Sequence, residues 1–213
     1  MARSFTRFGA APTLVSACFI LSGISMTGAG QTQKPATPAQ SSAANMTSVR
    51  LAAPEPTMKV TSKAFASNGA IPDKYSGYSN GPSPDLAWSG APPSTKTFAI
   101  VMEDPDAKVV APEPFVHWIA YNIPATTMTL PEGVPATGDI KGGGTQGING
   151  TKASGYFGPR PPAGDSEHHY HFQVFALGTE LPLKPGAGKA ELIAAMQGRV
   201  LAWGELVGTY QRK

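Results

Sequence analysis

Short apolar runs, separated by glycine, proline and polar residues, dominate the chain after residue 57. Residues 58–62 alternate between apolar and polar positions, which predicts a half-buried strand. Residues 97–102 form a continuous apolar run that is long enough for a buried strand and too short for a typical helix. Residues 115–123 and 169–177 are rich in aromatic and β-branched residues and are also predicted as strands.

The C-terminal part predicts one helix and a closing strand. Residues 189–197 combine good helix formers with Gly198 as a stop signal. Residues 200–210 mix two periodicities and are predicted as a strand. Three glycine-containing segments predict tight turns or loops: 79–81, 142–144 and 149–150. Several short strands with one helix predict a mainly β domain of the sandwich type.

Residues 1–29 have the pattern of a secretory signal peptide. Arg3 and Arg7 carry positive charge at the start, a mostly apolar stretch follows, and small residues end it. Cleavage is predicted after Ala29, so we expect export to the periplasm or the extracellular space. Polar residues and a proline interrupt the apolar stretch, so we expect no membrane-spanning helix, which needs about 20 apolar residues.

Cys18 is the only cysteine in the sequence. It ends residues 15–18, which are similar to a bacterial lipoprotein box and leave lipid anchoring as an alternative. The apolar run continues past Cys18, which argues against that alternative. An intramolecular disulfide is impossible in either case, so the folded domain depends on packing alone.

Residues 30–56 are rich in Pro, Ala, Thr, Ser and Gln. Such a composition buries too little apolar surface to offset the entropy of ordering, which predicts a disordered linker. The domain is therefore placed at residues 57–213. This part contains 13 Lys and Arg and 13 Asp and Glu residues, so it is formally neutral although the whole chain has a net charge of +3. Nucleic-acid binding normally needs clustered basic charge, and we exclude that function.

Candidate chemistry lies in two separate segments of the domain. Proline stiffens a loop and removes an N–H donor, while aromatic side chains form walls, so both segments suit a small preformed pocket for a polar ligand. The candidate residues are Asp104, Asp106, Phe115 and His117 in the first segment, and Gly158, Pro161, Pro162, His168 and Tyr170 in the second.

His117 and His168 are the expected donors to an anionic ligand. An unperturbed imidazole titrates near neutral pH, so binding should weaken as the pH rises through the imidazole range. Asp104 and Asp106 are expected to hold an imidazole by its second nitrogen or to accept from a ligand ammonium group. Paired carboxylates and imidazoles therefore suit a zwitterionic ligand.

A zinc site is an alternative for His168, His169 and His171, which lie close together in the sequence. Strand alternation places His168 on one face and the other two on the opposite face. A structural zinc site normally needs four close ligands and a catalytic site three. The chain has four histidines and no cysteine beyond Cys18, so we expect no metal and no cofactor.

The same segments resemble the phosphatidylethanolamine-binding protein family, and within it the bacterial Raf-kinase-inhibitor-like branch. The resemblance spans about residues 58–212, and several motifs occur in the same order. It implies a large central antiparallel sheet packed on a smaller sheet, with few short helices. The matching pieces are residues 104–107, 115–124, 130–133, 155–159, 161–164 and 168–170.

The resemblance also implies a small pocket for phosphate, phosphorylethanolamine or acetate-like groups. Lys108 and Arg160 depart from the family's usual residues, and they favour a more anionic ligand if they point inward. Carried over by position, the pocket draws on Asp104, Asp106, His117, Pro161, Pro162, His168 and Tyr170, with Phe115 as an aromatic wall and Gly158 at the start of the second loop.

Three functional classes remain open from the sequence. The first is an exported, non-catalytic binding protein for a small anionic or zwitterionic ligand, with a protein partner as a further option because relatives inhibit kinases or peptidases. The second is a hydrolase in which a His–Asp pair activates water against a phosphoester or ester. Ser154 and Ser166 lie in no Gly-x-Ser-x-Gly turn, so we expect binding. The third is a structural protein with a vestigial pocket.

Overall fold

The computed structural model describes residues 57–107, 114–137, 140 and 142–213. The predicted signal peptide, the Cys18 alternative and the linker lie outside the described residues. Within the described ranges there are nine strands, one α-helix and a short 3-10 helix. The elements are β1 (Lys59–Thr61), β2 (Gly69–Ala70), the 3-10 helix (Asp73–Tyr75), β3 (Leu86–Ser89), β4 (Thr97–Asp104), β5 (Phe115–Pro124), β6 (Thr129–Leu130), β7 (Thr145–Gln146), β8 (His168–Leu177), α1 (Lys189–Met196) and β9 (Val200–Tyr210).

The strands form two sheets of different size. The larger has six strands in the order β2-β9-β8-β4-β5-β7, and the smaller has three in the order β1-β3-β6. Neighbouring strands are antiparallel except for the short parallel pair of β2 and β9. The predicted mainly β fold with a large and a small sheet is therefore confirmed, and the parallel pair is the one difference.

β4 is buried on both faces of the large sheet. Phe98 and Met102 belong to the main core cluster, which also contains Trp88 of the small sheet. Val101 belongs to a second cluster on the opposite face, where Leu192 of α1 packs. A strand buried on both faces reads as a continuous apolar run rather than an alternating one, which explains the sequence pattern of residues 97–102.

The predicted elements correspond closely to the observed ones. The runs at 97–102, 115–123 and 169–177 are β4, β5 and β8, which extend one or two residues beyond the predicted bounds. The helix ends at Met196, and Gly198 has a φ of 69°, a left-handed conformation that commonly follows a helix. Residues 200–210 form the predicted closing strand, β9.

An irregularity in β5 positions the candidate site. Met102 pairs with Trp118 and Glu103 pairs with Val116, so His117 is an extra residue in the register between β4 and β5. A β-bulge of this kind interrupts the two-residue alternation and re-aims a side chain. The His117 ring accordingly contacts Tyr170 of the main core, while Val116 packs against the opposite cluster.

Candidate functional site

A cavity of about 250 Å³ lies where β4 ends and β5 begins. Asp104, the last residue of β4, is paired with Phe115, the first residue of β5. Aromatic rings, alanine and proline make up most of the walls, and a few polar groups converge on them, which is the usual composition of a small-molecule site. The described residues that line the cavity are Asp104, Ala107, Phe115, His117, Thr151, Phe157, Arg160 and Pro162.

The Asp104 carboxylate is 2% exposed and is held by three hydrogen bonds. Its Oδ1 accepts the backbone N–H groups of Asp106 at 2.8 Å and Ala107 at 3.1 Å. This is the turn expected when Asp ends a strand. Its Oδ2 accepts from Nδ1 of His168 at 2.8 Å. The carboxylate is therefore fixed in place, and Oδ2 is the oxygen that faces the two imidazoles.

His117 is buried and holds its ring in one orientation. Its Nδ1 lies 2.7 Å from the carbonyl oxygen of Phe157, and since a carbonyl only accepts, Nδ1 carries the proton. In the neutral ring Nε2 is then an acceptor, 4.0 Å from Oδ2 of Asp104. Burial lowers the pKa of His117 to about 4. The expectation that His117 titrates near neutral pH is therefore wrong, because desolvation outweighs the neighbouring carboxylate.

Three aromatic rings surround His117. Phe157 stacks on it with a centroid distance of 5.6 Å, and Phe115 and Tyr170 contact it edge-on at 4.9 and 5.1 Å. These rings supply the apolar surroundings that exclude water and keep the imidazole neutral. They do not enclose His117 on every side, because His117 also lines the cavity.

His168 and Tyr170 lie behind the cavity and do not line it. Their rings stack with a centroid distance of 6.4 Å, and Nε2 of His168 is 3.5 Å from Oδ2 of Asp165. The Tyr170 hydroxyl is buried and has no hydrogen-bond partner among the described residues. Burial, and then the charge of Asp104, raise the pKa of Tyr170, so it stays a protonated phenol. His168 contacts the cavity wall at Asp104, and Tyr170 contacts it at His117.

Asp106 has a different environment from Asp104. It is 41% exposed, and its Oδ2 accepts from the backbone N–H of His169 at 2.8 Å and from the ring Nδ1 of His169 at 2.9 Å. Partial burial raises the pKa of Asp106, but the hydrogen bonds from His169 outweigh it and the pKa is lowered. Asp106 is not part of the cavity lining.

The second predicted segment contributes one lining residue and two supporting ones. Pro162 lines the cavity. The carbonyl of Pro161 accepts from the hydroxyl of Tyr78 at 2.5 Å. Gly158 packs so closely against the backbone of residues 75–77 that a Cβ at this position would clash with the carbonyl oxygen of Tyr75. The loop is thus positioned by contact with residues 75–78.

Four lining residues were absent from the predicted site: Ala107, Thr151, Phe157 and Arg160. Phe157 immediately precedes Gly158 in a matched motif, and that position was the available signal. Thr151 follows the predicted turn at 149–150, where its hydroxyl donates to Oδ1 of Asn149 at 2.6 Å. The direction of Arg160 was unreadable from sequence; in the structure the residue lines the cavity, and its guanidinium carbon lies 5.3 Å from the ring centroid of Tyr78. Lys108 lies outside the described residues.

The three histidines in β8 have separate carboxylate partners. His168 is paired with Asp104, His169 with Asp106, and His171 with Glu205 at 3.0 Å. No group of three potential metal ligands occurs in the described part of the chain. A search of the same residues finds no helix with the length and apolarity needed to cross a membrane.

Residues 61–211 match the family model described as phosphatidylethanolamine-binding protein. A UPF0098 protein of Pyrococcus horikoshii is 45% identical over 158 residues, which cover 73% of this chain and 77% of that protein. A UPF0098 protein of Methanothermobacter thermautotrophicus is 39% identical over 155 residues, covering 73% of this chain and 99% of that protein.

Two solved structures have the same fold. A putative phosphatidylethanolamine-binding protein homologue from Chlamydia trachomatis is 36% identical, with a TM-score of 0.66. YbcL of Escherichia coli, described as a new member of the mammalian PEBP family, is 32% identical, also with a TM-score of 0.66. Each alignment covers 74% of this chain and 99% of the solved chain. The resemblance recognised in the sequence is confirmed, and the chain belongs to the phosphatidylethanolamine-binding protein family.

Proposed function

We propose that the cavity beside Asp104 and His117 binds a small anionic or zwitterionic ligand of the phosphate-monoester type, such as phosphorylethanolamine, without chemical turnover. The observation that carries the proposal is the distribution of polar groups. Two buried acceptors lie at the wall of the cavity, and the cationic residue Arg160 is among the same lining residues. The remaining walls are apolar.

The buried groups accept hydrogen bonds rather than donate them. Nδ1–H of His117 is engaged with Phe157, so Nε2 offers a lone pair, and Oδ2 of Asp104 lies 4.0 Å away. A fully deprotonated anion is poorly matched to two acceptors. A ligand that brings its own donor, either a P–OH group or an ammonium group, satisfies them.

Arg160 supplies the positive charge that an anionic ligand needs. The residue is exposed, lines the cavity and forms no ion pair in the described ranges, so its guanidinium is available to a ligand. A guanidinium presents paired N–H groups that match phosphate and carboxylate oxygens. The ligand would therefore place its donor between Asp104 and His117 and its anionic oxygens toward Arg160.

The arrangement of the lining hydroxyl argues against hydrolysis by a side-chain nucleophile. Among the described lining residues, Thr151 has the only side-chain hydroxyl, and that hydroxyl donates to Asn149. A nucleophile needs a base within hydrogen-bond reach, and the partner of this hydroxyl is an amide oxygen. Release of inorganic phosphate from phosphorylethanolamine, abolished by His117→Asn, would instead support the hydrolase.

The test is calorimetric titration of the protein with phosphorylethanolamine, methyl phosphate, ethanolamine and acetate. We expect phosphorylethanolamine to bind most tightly, because it offers both the donor and the anion. Arg160→Gln should weaken its binding about tenfold, the scale of one charge-assisted hydrogen bond. Arg199→Gln is the matched control, since the Arg199 guanidinium donates to the carbonyl of Ala195 at the end of α1. Equal affinities for Arg160→Gln and wild type would contradict the proposed site.

The pH dependence separates a ligand proton from a histidine proton. His117 is neutral well above pH 4, whereas a phosphate monoester loses its second proton at about pH 6. Affinity for methyl phosphate, which lacks an ammonium group, should therefore fall as the pH rises above about 6. Affinity that stays constant from pH 5 to pH 8 would contradict donation by a P–OH group.

We further propose that the protein is exported, on the basis of the signal-like pattern of residues 1–29. Expression in a Gram-negative host followed by fractionation and N-terminal sequencing tests this, and a mature start at Gly30 is expected. A mature, acylated start at Cys18 would support the lipoprotein alternative. Retention of an intact Met1 in the cytoplasm would contradict export. A protein partner, if one exists, would then be sought in the periplasm or outside the cell.

A further inference from the structure

Two arginines contact the same tyrosine ring next to the cavity. The guanidinium carbon of Arg160 lies 5.3 Å from the ring centroid of Tyr78, and that of Arg212 lies 4.2 Å from it. The two guanidinium carbons are therefore at most 9.5 Å apart, the limit set by adding the two distances. The hydroxyl of Tyr78 donates to the carbonyl of Pro161 at 2.5 Å, which fixes the ring.

This arrangement brings two guanidinium groups to one ring without a carboxylate in salt-bridge contact with either of them. In the described ranges, neither Arg160 nor Arg212 forms an ion pair. A guanidinium stacked on an aromatic face keeps its N–H groups available at the edge. Two like charges at this separation repel each other, and an anion bound near both of them relieves that repulsion.

The Arg160–Tyr78–Arg212 stack lies between two openings of the surface. Arg160 lines the small cavity, whereas Tyr78 and Arg212 line a larger cleft of about 620 Å³. The cleft also contains Asp73 and Glu167. Oδ1 of Asp73 accepts the hydroxyl of Tyr210 at 2.6 Å and is already engaged. Tyr78, which both guanidinium groups contact, thus links the residue that lines the small cavity to the arginine of the cleft.

We propose that Arg212 recognises a second anionic group of the ligand, so that the site selects molecules carrying a phosphate, an ammonium group and a carboxylate together. This inference rests on the proposed function and adds the substrate class to it. The phosphate and the ammonium group occupy the cavity between Arg160 and the acceptors of Asp104 and His117. The carboxylate extends past Tyr78 to the Arg212 guanidinium, whose fork matches its two oxygens.

O-phosphoserine and phosphorylethanolamine provide the test, because they differ by one carboxylate. The full chain is titrated with each ligand by calorimetry, and the ratio of the two dissociation constants is the readout. Wild type should bind O-phosphoserine about fivefold more tightly, as expected for one partly exposed ion pair. In Arg212→Gln the ratio should fall to about one, and in Arg212→Lys it should be intermediate, because the charge remains but the fork is lost.

Arg199→Gln is the matched control and should keep the wild-type ratio. Equal affinity for the two ligands in wild type, or a ratio that persists in both Arg212 variants, would overturn the inference while leaving the proposed function intact. Failure of both ligands to bind would overturn both. Glycerophosphorylserine, a diester, distinguishes the source of the ligand. Binding comparable to O-phosphoserine supports a lipid head group, and loss of binding supports a free monoester.

Discussion

Glu103 and Asp104 are successive residues of β4 and hold buried carboxylates on opposite faces of the large sheet. Asp104 is surrounded by His117, His168 and the backbone of residues 106–107. Glu103 is 1% exposed and forms an ion pair of 2.7 Å with Lys189 of α1. Each face of the sheet therefore contains one buried carboxylate at the end of β4.

Imidazoles are also present on both faces. His171 is the residue opposite Glu103 in the register of β4 and β8, and its Nδ1 lies 3.0 Å from Oε1 of Glu205. The amide of Gln173 donates to the same oxygen at 3.0 Å. The difference is that Asp104 lines a cavity, whereas Glu103 is paired with the helix that packs on its face. A buried carboxylate near an imidazole is thus insufficient to identify a ligand site, and access from solvent makes the distinction.

The largest effect is expected on the face of Glu103. Lys189→Met removes the partner from a buried ion pair and should lower the free energy of unfolding by about 3 kcal/mol. Affinity for phosphorylethanolamine should be unchanged, because Lys189 lies on the other side of the sheet from the cavity. Urea denaturation at pH 7 and calorimetric titration measure the two quantities. Lys184→Met, at an exposed position, is the matched control.

A Lys189→Met protein of normal stability would show that the ion pair contributes nothing in solution. A Lys189→Met protein that is stable but no longer binds phosphorylethanolamine would contradict the proposed site, because it would indicate that the ligand binds on the face of Glu103.

A pH-dependent effect is expected on the other face, at His117. Its folded pKa of about 4 lies below the ordinary 6.5, so the unfolded chain takes up this proton first. The neutral ring therefore contributes stability that is present above pH 6.5 and is lost as the pH falls toward 4. His117→Asn keeps a donor for the Phe157 carbonyl and removes the titration. The loss of stability between pH 7 and pH 4.5 should be about 2 kcal/mol smaller in this variant.

Urea denaturation at the two pH values gives this difference directly. Parallel pH profiles for wild type and His117→Asn would mean that the imidazole takes up its proton in the folded state as easily as in the unfolded chain.

The two adjacent carboxylates should differ in ligand binding. Asp104→Asn keeps an acceptor for the backbone N–H groups at Oδ1 but removes the charge that faces the ligand donor. Affinity for phosphorylethanolamine should fall about tenfold, as for one charge-assisted hydrogen bond. Glu103→Gln should leave the affinity unchanged. Calorimetric titration of both variants makes the comparison, and equal losses would show that the effect is a general loss of folded structure.

The parts of the fold governed by periodicity could be predicted from the sequence. Residues 97–102 of β4 are a continuous apolar run because β4 is buried on both faces, and α1 is followed by Gly198 in a left-handed conformation. Asp104 follows the last buried apolar residues of β4, so its position at the strand end was also readable. These features depend on neighbours along the chain.

The geometry around His117 could not be predicted in the same way. Its face of the sheet depends on a bulge in the pairing of β5 with β4, and strand alternation alone contains no signal for that extra residue. Its protonation depends on the Phe157 carbonyl and on burial, both of which come from distant parts of the chain. From its residue type alone, His117 was predicted to donate a hydrogen bond to the ligand near neutral pH. In the folded structure the ring is neutral, and its Nε2 is an acceptor.

The smallest effect is expected at Asp106, which the sequence predicted to be equivalent to Asp104. The pair of Asp106 with His169 is 41% and 49% exposed, so Asp106→Asn should change the free energy of unfolding by less than about 1 kcal/mol. The pKa of Asp106 is lowered in the fold, so this small stabilisation is present above the ordinary value of 3.8 and disappears as the pH falls further. Ligand affinity should change far less than in Asp104→Asn, because Asp106 does not line the cavity. Calorimetric titration of the two Asn variants compares them directly. An equal loss of ligand affinity in the two variants would show that Asp106 contacts the ligand, and that the ligand extends beyond the cavity toward His169.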